Sequence, residues 1–287
     1  MRLGMFMMPV HPPGRSLSAT LAENTTKSVL ADQLGYDELW MGEHFSATTE
    51  PFPSPLMFLA GLVPQTKNLT FGTAVINLPN HHPAIVAGEA AQFDHMSGGR
   101  FLFGVGSGGL ASDFELFKID PATRQRAFME SIDMILRIWA QDPPYDIQGE
   151  FWNVQIKKAI LPELGVGFMP KPLQKPHPPI LLGGESDHTL RRVVDYCDGW
   201  FPRPRKGFEA ADSLARLHKA AEKKGRDPKT LSVTVFGAPP KEDVLADYAK
   251  AGIDGALLGI NDDSRDDILR YLDKIAPLAK AHAKEAA

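Results

Sequence analysis

Short apolar runs alternate along this chain with longer stretches in which apolar positions recur every three or four residues. The runs read as buried strands and the stretches as helices with one face on a core. Residues 3–9 form the first run, which stops at His11-Pro12-Pro13. Ser16 opens a helix in which Leu17, Leu21, Leu30 and Leu34 share a face, and Gly35 is placed to end it. Glu38–Met41 is the second strand. Ser54-Pro55 starts the second helix, with proline at the first position, where its missing N–H costs nothing. The third strand spans 69–76 and ends in the polar loop from Asn77 to Pro83; an Ala- and Val-rich helix then runs to Met96. The fourth strand, 100–105, feeds Gly106-Ser107-Gly108-Gly109, and Phe128, Ile132, Ile135 and Trp139 follow at helical spacing.

The alternation breaks over residues 141–179, which are rich in Pro and Gly and are read as an irregular insertion. Its Phe151, Trp152 and Phe168 make it a candidate lid. Strands then follow at Ile180–Gly183, Gly199–Phe201, 231–235 and Gly255–Gly259. Helices lie between them at Asp187–Tyr196, 209–224 and Glu242–Ala251, and a last one runs from 265 to about 281, before an Ala- and Lys-rich end expected to fray. Eight strand–helix units predict one domain, residues 1–287, folded as a (β/α)8 TIM barrel with an insertion at 141–179. A doubly wound open sheet is the alternative, but no early strand carries a G-x-G-x-x-G turn.

Composition narrows the partners. Of 287 residues 43% are apolar, enough for a large core. The net charge is −4 with no Lys/Arg run, which argues against nucleic acid. The single cysteine, Cys197, excludes an intramolecular disulfide or a Cys-rich metal site and suits a reducing cytoplasm, the expected location. The N-terminal apolar run is too short to span a membrane and lacks a cleavage pattern, so it is read as a strand.

In a barrel every strand-to-helix loop opens on one face. That gathers Glu43-His44, the loop after Val75, Gly106-Ser107, Gly184-Glu185-Ser186 and Trp200 at one mouth. Glu43 and His44, at a strand end that opens a long loop, are either the candidate acid–base pair or an ordinary solvated loop pair. Gly183-Gly184-Glu185-Ser186 with Thr189 offers freed N–H groups, two hydroxyls and a helix N-terminus, which suits a phosphate; a plain helix cap fits the same pattern. Glycines 104, 106, 108 and 109 permit close approach of a flat or anionic ligand, or make a tight rim loop. His81-His82 lacks further ligands at metal spacing, so no metal site is expected. Trp200 either stacks on a ligand ring or fills the core.

These residues resemble a known family. Leu34-Gly35-Tyr36-Asp37-Glu38-Leu39-Trp40, Gly42-Glu43-His44-Phe45, Leu69-Thr70-Phe71-Gly72-Thr73-Ala74-Val75, Leu78-Pro79 with His82-Pro83, and Phe93-Asp94-His95-Met96-Ser97-Gly98-Gly99-Arg100-Phe101 are similar to motifs of the bacterial luciferase-like flavin monooxygenases, a superfamily that includes coenzyme F420-dependent dehydrogenases. The N-terminal half looks most like the limonene monooxygenase type. After the insertion Gly183-Gly184-Glu185-Ser186 and Asp198-Gly199-Trp200 match.

The resemblance implies FMN, or alternatively F420, across the mouth, with Ala74, Val75, Gly106, Ser107, Gly184, Glu185, Ser186, Thr189 and Trp200 as cofactor contacts. It implies that His44 acts as a base or hydrogen-bonds the reacting oxygen, that the Ala74–Val75 bond is cis, and that Ser186 and Thr189 hold the phosphate. Ser107 stands where luciferases place a phosphate-binding arginine, which leaves fewer positive partners and suits weak binding. Reduced FMN from a separate flavin reductase, O2, a small apolar substrate and a homodimer complete the expectation. Hydride transfer with F420, a non-catalytic flavin-binding protein and an unrelated phosphosugar enzyme are the competing readings.

Overall fold

The computed structural model describes residues 1–8, 10–260 and 265–282. In chain order its elements are β1 (Arg2–Phe6), α1 (Leu17–Leu34), β2 (Glu38–Met41), α2 (Pro55–Leu62), β3 (Thr70–Thr73), β4 (Ile76–Asn77), α3 (Pro83–Ser97), β5 (Phe101–Gly106), α4 (Ala111–Phe117) and α5 (Arg124–Ala140). They continue with β6 (Tyr145–Gln148), β7 (Asn153–Ile156), β8 (Ile180–Gly183), α6 (Asp187–Tyr196), β9 (Gly199–Phe201), α7 (Ala210–Lys223), β10 (Ser232–Ala238), α8 (Glu242–Ala251), β11 (Gly255–Gly259) and α9 (Arg265–His282). Pro9, in the first apolar run, and the chain end beyond 282, where fraying was expected, lie outside the described residues.

Eight wall positions close on themselves in the order β1, β2, β3, β5, β8, β9, β10, β11 and back to β1, every pairing parallel. This is a TIM barrel. Local chemistry sets the element ends. Ser16 accepts the Ala19 N–H and caps α1, and Gly35 closes it in the left-handed region at φ 89°. Ser54 caps α2 with Pro55 at its first position. The third wall position differs from expectation: 69–76 is not one strand. β3 ends at Thr73, the Ala74–Val75 bond is cis, and β4 resumes pairing with β5.

Strand alternation divides the core in two. One face of each strand packs on the helices; α5 buries Phe128, Ile132, Ile135 and Trp139 there, at about 1.5–3 kcal/mol for each large side chain. The other face fills the barrel with Trp40, Leu181, Phe201 and Leu257. Trp40 fits because its neighbours are small: a Cβ at Gly72 would collide with the indole. Low in the barrel, Glu38 is buried between the Arg2 guanidinium (2.5 Å) and the Trp40 indole N–H (2.8 Å). Burial raises its pKa despite both partners.

The insertion is more regular than expected. β6 and β7 form an antiparallel hairpin. Glu130 of α5 accepts the N–H groups of Glu150, Phe151 and Trp152 at 2.7, 2.9 and 2.8 Å. Farther on, the Gln174 N–H and side-chain amide donate to Asp94 of α3. These bonds hold the segment on the barrel flank against α3 and α5, and no residue of 141–179 lines the cavity at the mouth. The structure therefore gives the lid expectation no support: charge-assisted bonds to buried or half-buried carboxylates hold the segment on α3 and α5, and it does not line the cavity.

Candidate functional site

The C-terminal strand ends surround a cavity of about 560 Å³, within the usual range for a small-molecule or cofactor site. Glu43, His44, Ala74, Val75, Gly106, Ser107, Gly184 and Thr189 line it. Glu185, Ser186 and Trp200 do not. Apolar wall comes from Phe6, Met8, Phe201 and Phe236. Gly106 lets that wall close up, since a Cβ there would come within 2.5 Å of the Val75 side chain.

One side of the mouth carries carboxylates and imidazoles. The His44 ring lies between Glu50, 3.7 Å from Nε2, and Asp113, 3.7 Å from Nδ1. Its Nδ1 is buried and has no hydrogen-bond partner among the described residues. The His44 N–H donates to the Phe52 carbonyl, which folds the loop back on the strand end. Asp113, at 2% exposure, is anchored by the Ser46 N–H (2.9 Å) and the Ser46 hydroxyl. Glu43 is also buried and is turned away from His44. It accepts from the Asn77 N–H and side-chain amide, both 3.3 Å, and lies 2.8 Å from His81 Nε2. Burial works against a charged His81, but the Glu43 bond and the charges of Glu43 and Glu89 outweigh it and raise the His81 pKa. His82 points elsewhere and caps α3 through Nδ1.

The opposite side carries hydroxyls and cations. Ser186 caps α6, accepting the Thr189 N–H at 3.1 Å, and the two hydroxyls lie 3.0 Å apart. The pattern that suited either a cap or an anion site thus makes the cap, with Thr189 facing the cavity. Arg192, one turn farther along α6, also lines it, with Gln125 and Arg203. The Arg192 guanidinium donates to Gln125 Oε1 at 2.6 Å, and Gln125 Nε2 donates to the Ser107 hydroxyl at 2.7 Å.

Trp200 is corrected as a ring contact. It is 1% exposed, and its indole N–H donates to the Gly184 carbonyl at 2.7 Å. Alternation along β9 sends Trp200 into the layer under the helices and Phe201 into the barrel, so Phe201 is the aromatic that meets the cavity. Glu185 turns outward to the Arg203 N–H (3.3 Å) and to Arg205 (3.7 Å). Sequence reasoning missed Asn77, Asp113, Gln125, Arg192 and Phe201. Each is an ordinary residue of its helix, strand or loop, and only contact across the fold marks it. A warning signal existed for Arg192: it is three positions after Thr189, hence on the same helix face.

The chain matches the family profile described as luciferase-like monooxygenase over residues 1–272. It is 43% identical to 4-hydroxyprotoasukamycin monooxygenase of Streptomyces nodosus subsp. asukaensis over 49% of this chain and 38% of that protein. It is 36% identical to limonene 1,2-monooxygenase of Rhodococcus erythropolis over 48% and 35%. It is 33% identical to the oxygenase component of flavin-dependent trigonelline monooxygenase of Acinetobacter baylyi over 58% and 43%. The matches therefore span less than half of each of these relatives.

Among solved structures, monooxygenase RslO1 from Streptomyces bottropensis superposes with a TM-score of 0.85 at 19% identity, covering 99% of this chain and 100% of that one. The oxygenating constituent of 3,6-diketocamphane monooxygenase from Pseudomonas putida, in complex with FMN, gives 0.77 at 21%, covering 98% and 97%. An F420-dependent secondary alcohol dehydrogenase in complex with an F420–acetone adduct gives 0.72 at 16%, covering 96% and 98%. At these identities the structural likeness speaks for the fold. No helix among the described residues is long and apolar enough to cross a membrane.

Proposed function

This chain belongs to the luciferase-like monooxygenase family, and on that footing we propose that it is the oxygenase of a reduced-FMN- and O2-dependent monooxygenation of a small, mainly apolar organic compound, with reduced flavin delivered by a separate reductase. The observation that carries this reading is one cavity with an acid–imidazole side and a hydroxyl–cation side, about 560 Å³ between them. The donor set fits a phosphorylated flavin: Thr189, Ser107, Gln125 and Arg192 are hydrogen-bond donors suited to a phosphate, and Gly106 lets the Val75 side chain pack into the wall against which a flat ring would lie.

Reduced flavin, when bound, would supply the two electrons that, with two protons, take one atom of O2 to water while the other is inserted into the substrate. The protein supplies the rest. Phe6, Val75, Phe201 and Phe236 give the chamber an apolar wall, which a water-sensitive reaction needs. His44 holds and moves a proton at Nε2, on the ring edge that faces Glu50. Asp113, itself fixed by Ser46, places a carboxylate 3.7 Å from Nδ1 on the other edge of the ring. Glu43 is a positioning residue: through Asn77 and His81 it ties the end of β2 to the loop after β4.

A side-by-side fluorescence titration with FMN and F420, each oxidised and reduced, tests this. Preference for reduced FMN is expected. Preference for F420 would replace oxygenation with hydride transfer, with His44 serving a substrate hydroxyl, and binding of neither would remove the cofactor assignment.

A further inference from the structure

We infer that Arg192, held in place by Gln125 and Ser107, is the counter-charge that selects a phosphate-bearing cofactor over its unphosphorylated form; the inference rests on the flavin reading and names a residue for it.

The geometry is specific. Arg192 sits on α6 one turn beyond the cap formed by Ser186 and Thr189, and it faces the cavity that Thr189 and Gly184 also line. Of its five N–H donors one is committed to Gln125 Oε1 at 2.6 Å. Gln125 in turn is fixed by its own donation to the Ser107 hydroxyl at 2.7 Å. This amide bridge, from α5 to α6 and to the loop after β5, orients the guanidinium without neutralising it. The acids of α6 are spent elsewhere: Asp187 pairs with Arg216 at 2.7 Å and Asp195 with Lys224 at 2.9 Å. Arg191, the neighbour in sequence, adds more positive charge and is bonded to His188 Nδ1 at 3.0 Å. No carboxylate within ion-pair distance of Arg192 is found among the described residues.

A partly buried guanidinium with a neutral amide partner and a like-charged neighbour is electrostatically incomplete. Burial first, and Arg191 second, lower its pKa. An anion in the cavity supplies what is missing, and a phosphate matches the fork geometry of the guanidinium. Thr189 lines the same cavity, its hydroxyl 3.0 Å from that of Ser186, and the start of α6 adds its dipole. The bland alternative is that Arg192 only ties α6 to α5. That role would not respond to the phosphate of a ligand.

The test compares FMN with riboflavin, which has the same ring and no phosphate, on wild type, Arg192→Gln and Arg192→Lys. Binding is followed by flavin fluorescence and folding by thermal melting. The wild type is expected to prefer FMN. Arg192→Gln should raise the FMN Kd by about 10- to 100-fold and leave riboflavin within about twofold, and Arg192→Lys should recover part of the loss. If Arg192→Gln keeps the wild-type preference for FMN, the inference is overturned while the flavin reading stands. If the wild type binds F420 instead, the same comparison is made with that phosphodiester: weaker binding to Arg192→Gln supports the inference, and equal binding overturns it. If the wild type binds neither cofactor the flavin reading falls, and inorganic phosphate decides. Thermal protection lost in Arg192→Gln supports Arg192 as the anion site, and no protection of the wild type overturns it.

Discussion

The two sides of the mouth are built from the same kind of strand-end loop and are opposite in electrostatic design. On the β2–β4 side Glu43, Glu50 and Asp113 surround His44 and His81, and nearly every carboxylate is matched to an imidazole or an N–H group. On the β8–β9 side Arg192 and Arg203 face the cavity, and among the described residues Arg192 is matched only to an amide. The first side can hold and pass a proton without any ligand. The second, on the inference drawn for Arg192, is complete only with an anion. The contrast suggests a division of labour, with chemistry at His44 and retention of the ligand at α6.

The sharpest way to break that division is His44→Ala. The rate of product formation with reduced FMN, on the best substrate from a screen of small apolar compounds, should fall about 100- to 10,000-fold, while the FMN Kd stays within about threefold. A large loss of flavin affinity instead would move His44 to the retention side. A smaller effect is expected from Thr189→Val, which removes one hydroxyl from the other side. The FMN Kd should rise about fivefold, the worth of a single hydrogen bond, with riboflavin binding unaffected. Equal weakening of both ligands would show that Thr189 serves the fold.

The smallest effect concerns pH. The Glu43 bond and neighbouring charge hold the His81 pKa above its ordinary 6.5, although burial opposes this. A group with a raised folded-state pKa gives its full stabilisation below its unfolded pKa and loses it as pH rises through the folded value. The stability gap between wild type and His81→Gln, measured by denaturant melts, should therefore be widest below pH 6.5 and shrink above it. A gap that widens with rising pH would show that His81 acts as a neutral ligand of Glu43.

Much of the scaffold was legible because its signals are local. Ser16 and Gly35 delimit α1, Ser54-Pro55 starts α2, and the apolar runs at Glu38–Met41, Ile180–Gly183, Gly199–Phe201 and Gly255–Gly259 are strands at those bounds. The split between β3 and β4 was not legible in apolar periodicity, which runs straight through Ala74 and Val75. The resemblance alone implied a cis bond there. The hairpin at 145–156 was hidden by its Pro- and Gly-rich surroundings, and its anchor, Glu130, lies about twenty residues upstream on another element.

By itself the sequence determined the eight strand–helix units, their closing into a barrel, and the placing of His44, Ser107 and Thr189 at one mouth, because periodicity, caps and strand direction are properties of neighbouring residues. Only the tertiary structure decided that Phe201 and not Trp200 meets the cavity, since which face of a three-residue strand looks inward depends on its register with β8 and β10. Only it paired His44 with Asp113, and Arg192 with Gln125 across 67 residues. Such contacts are set by barrel closure, and no local pattern encodes which distant side chains it brings together.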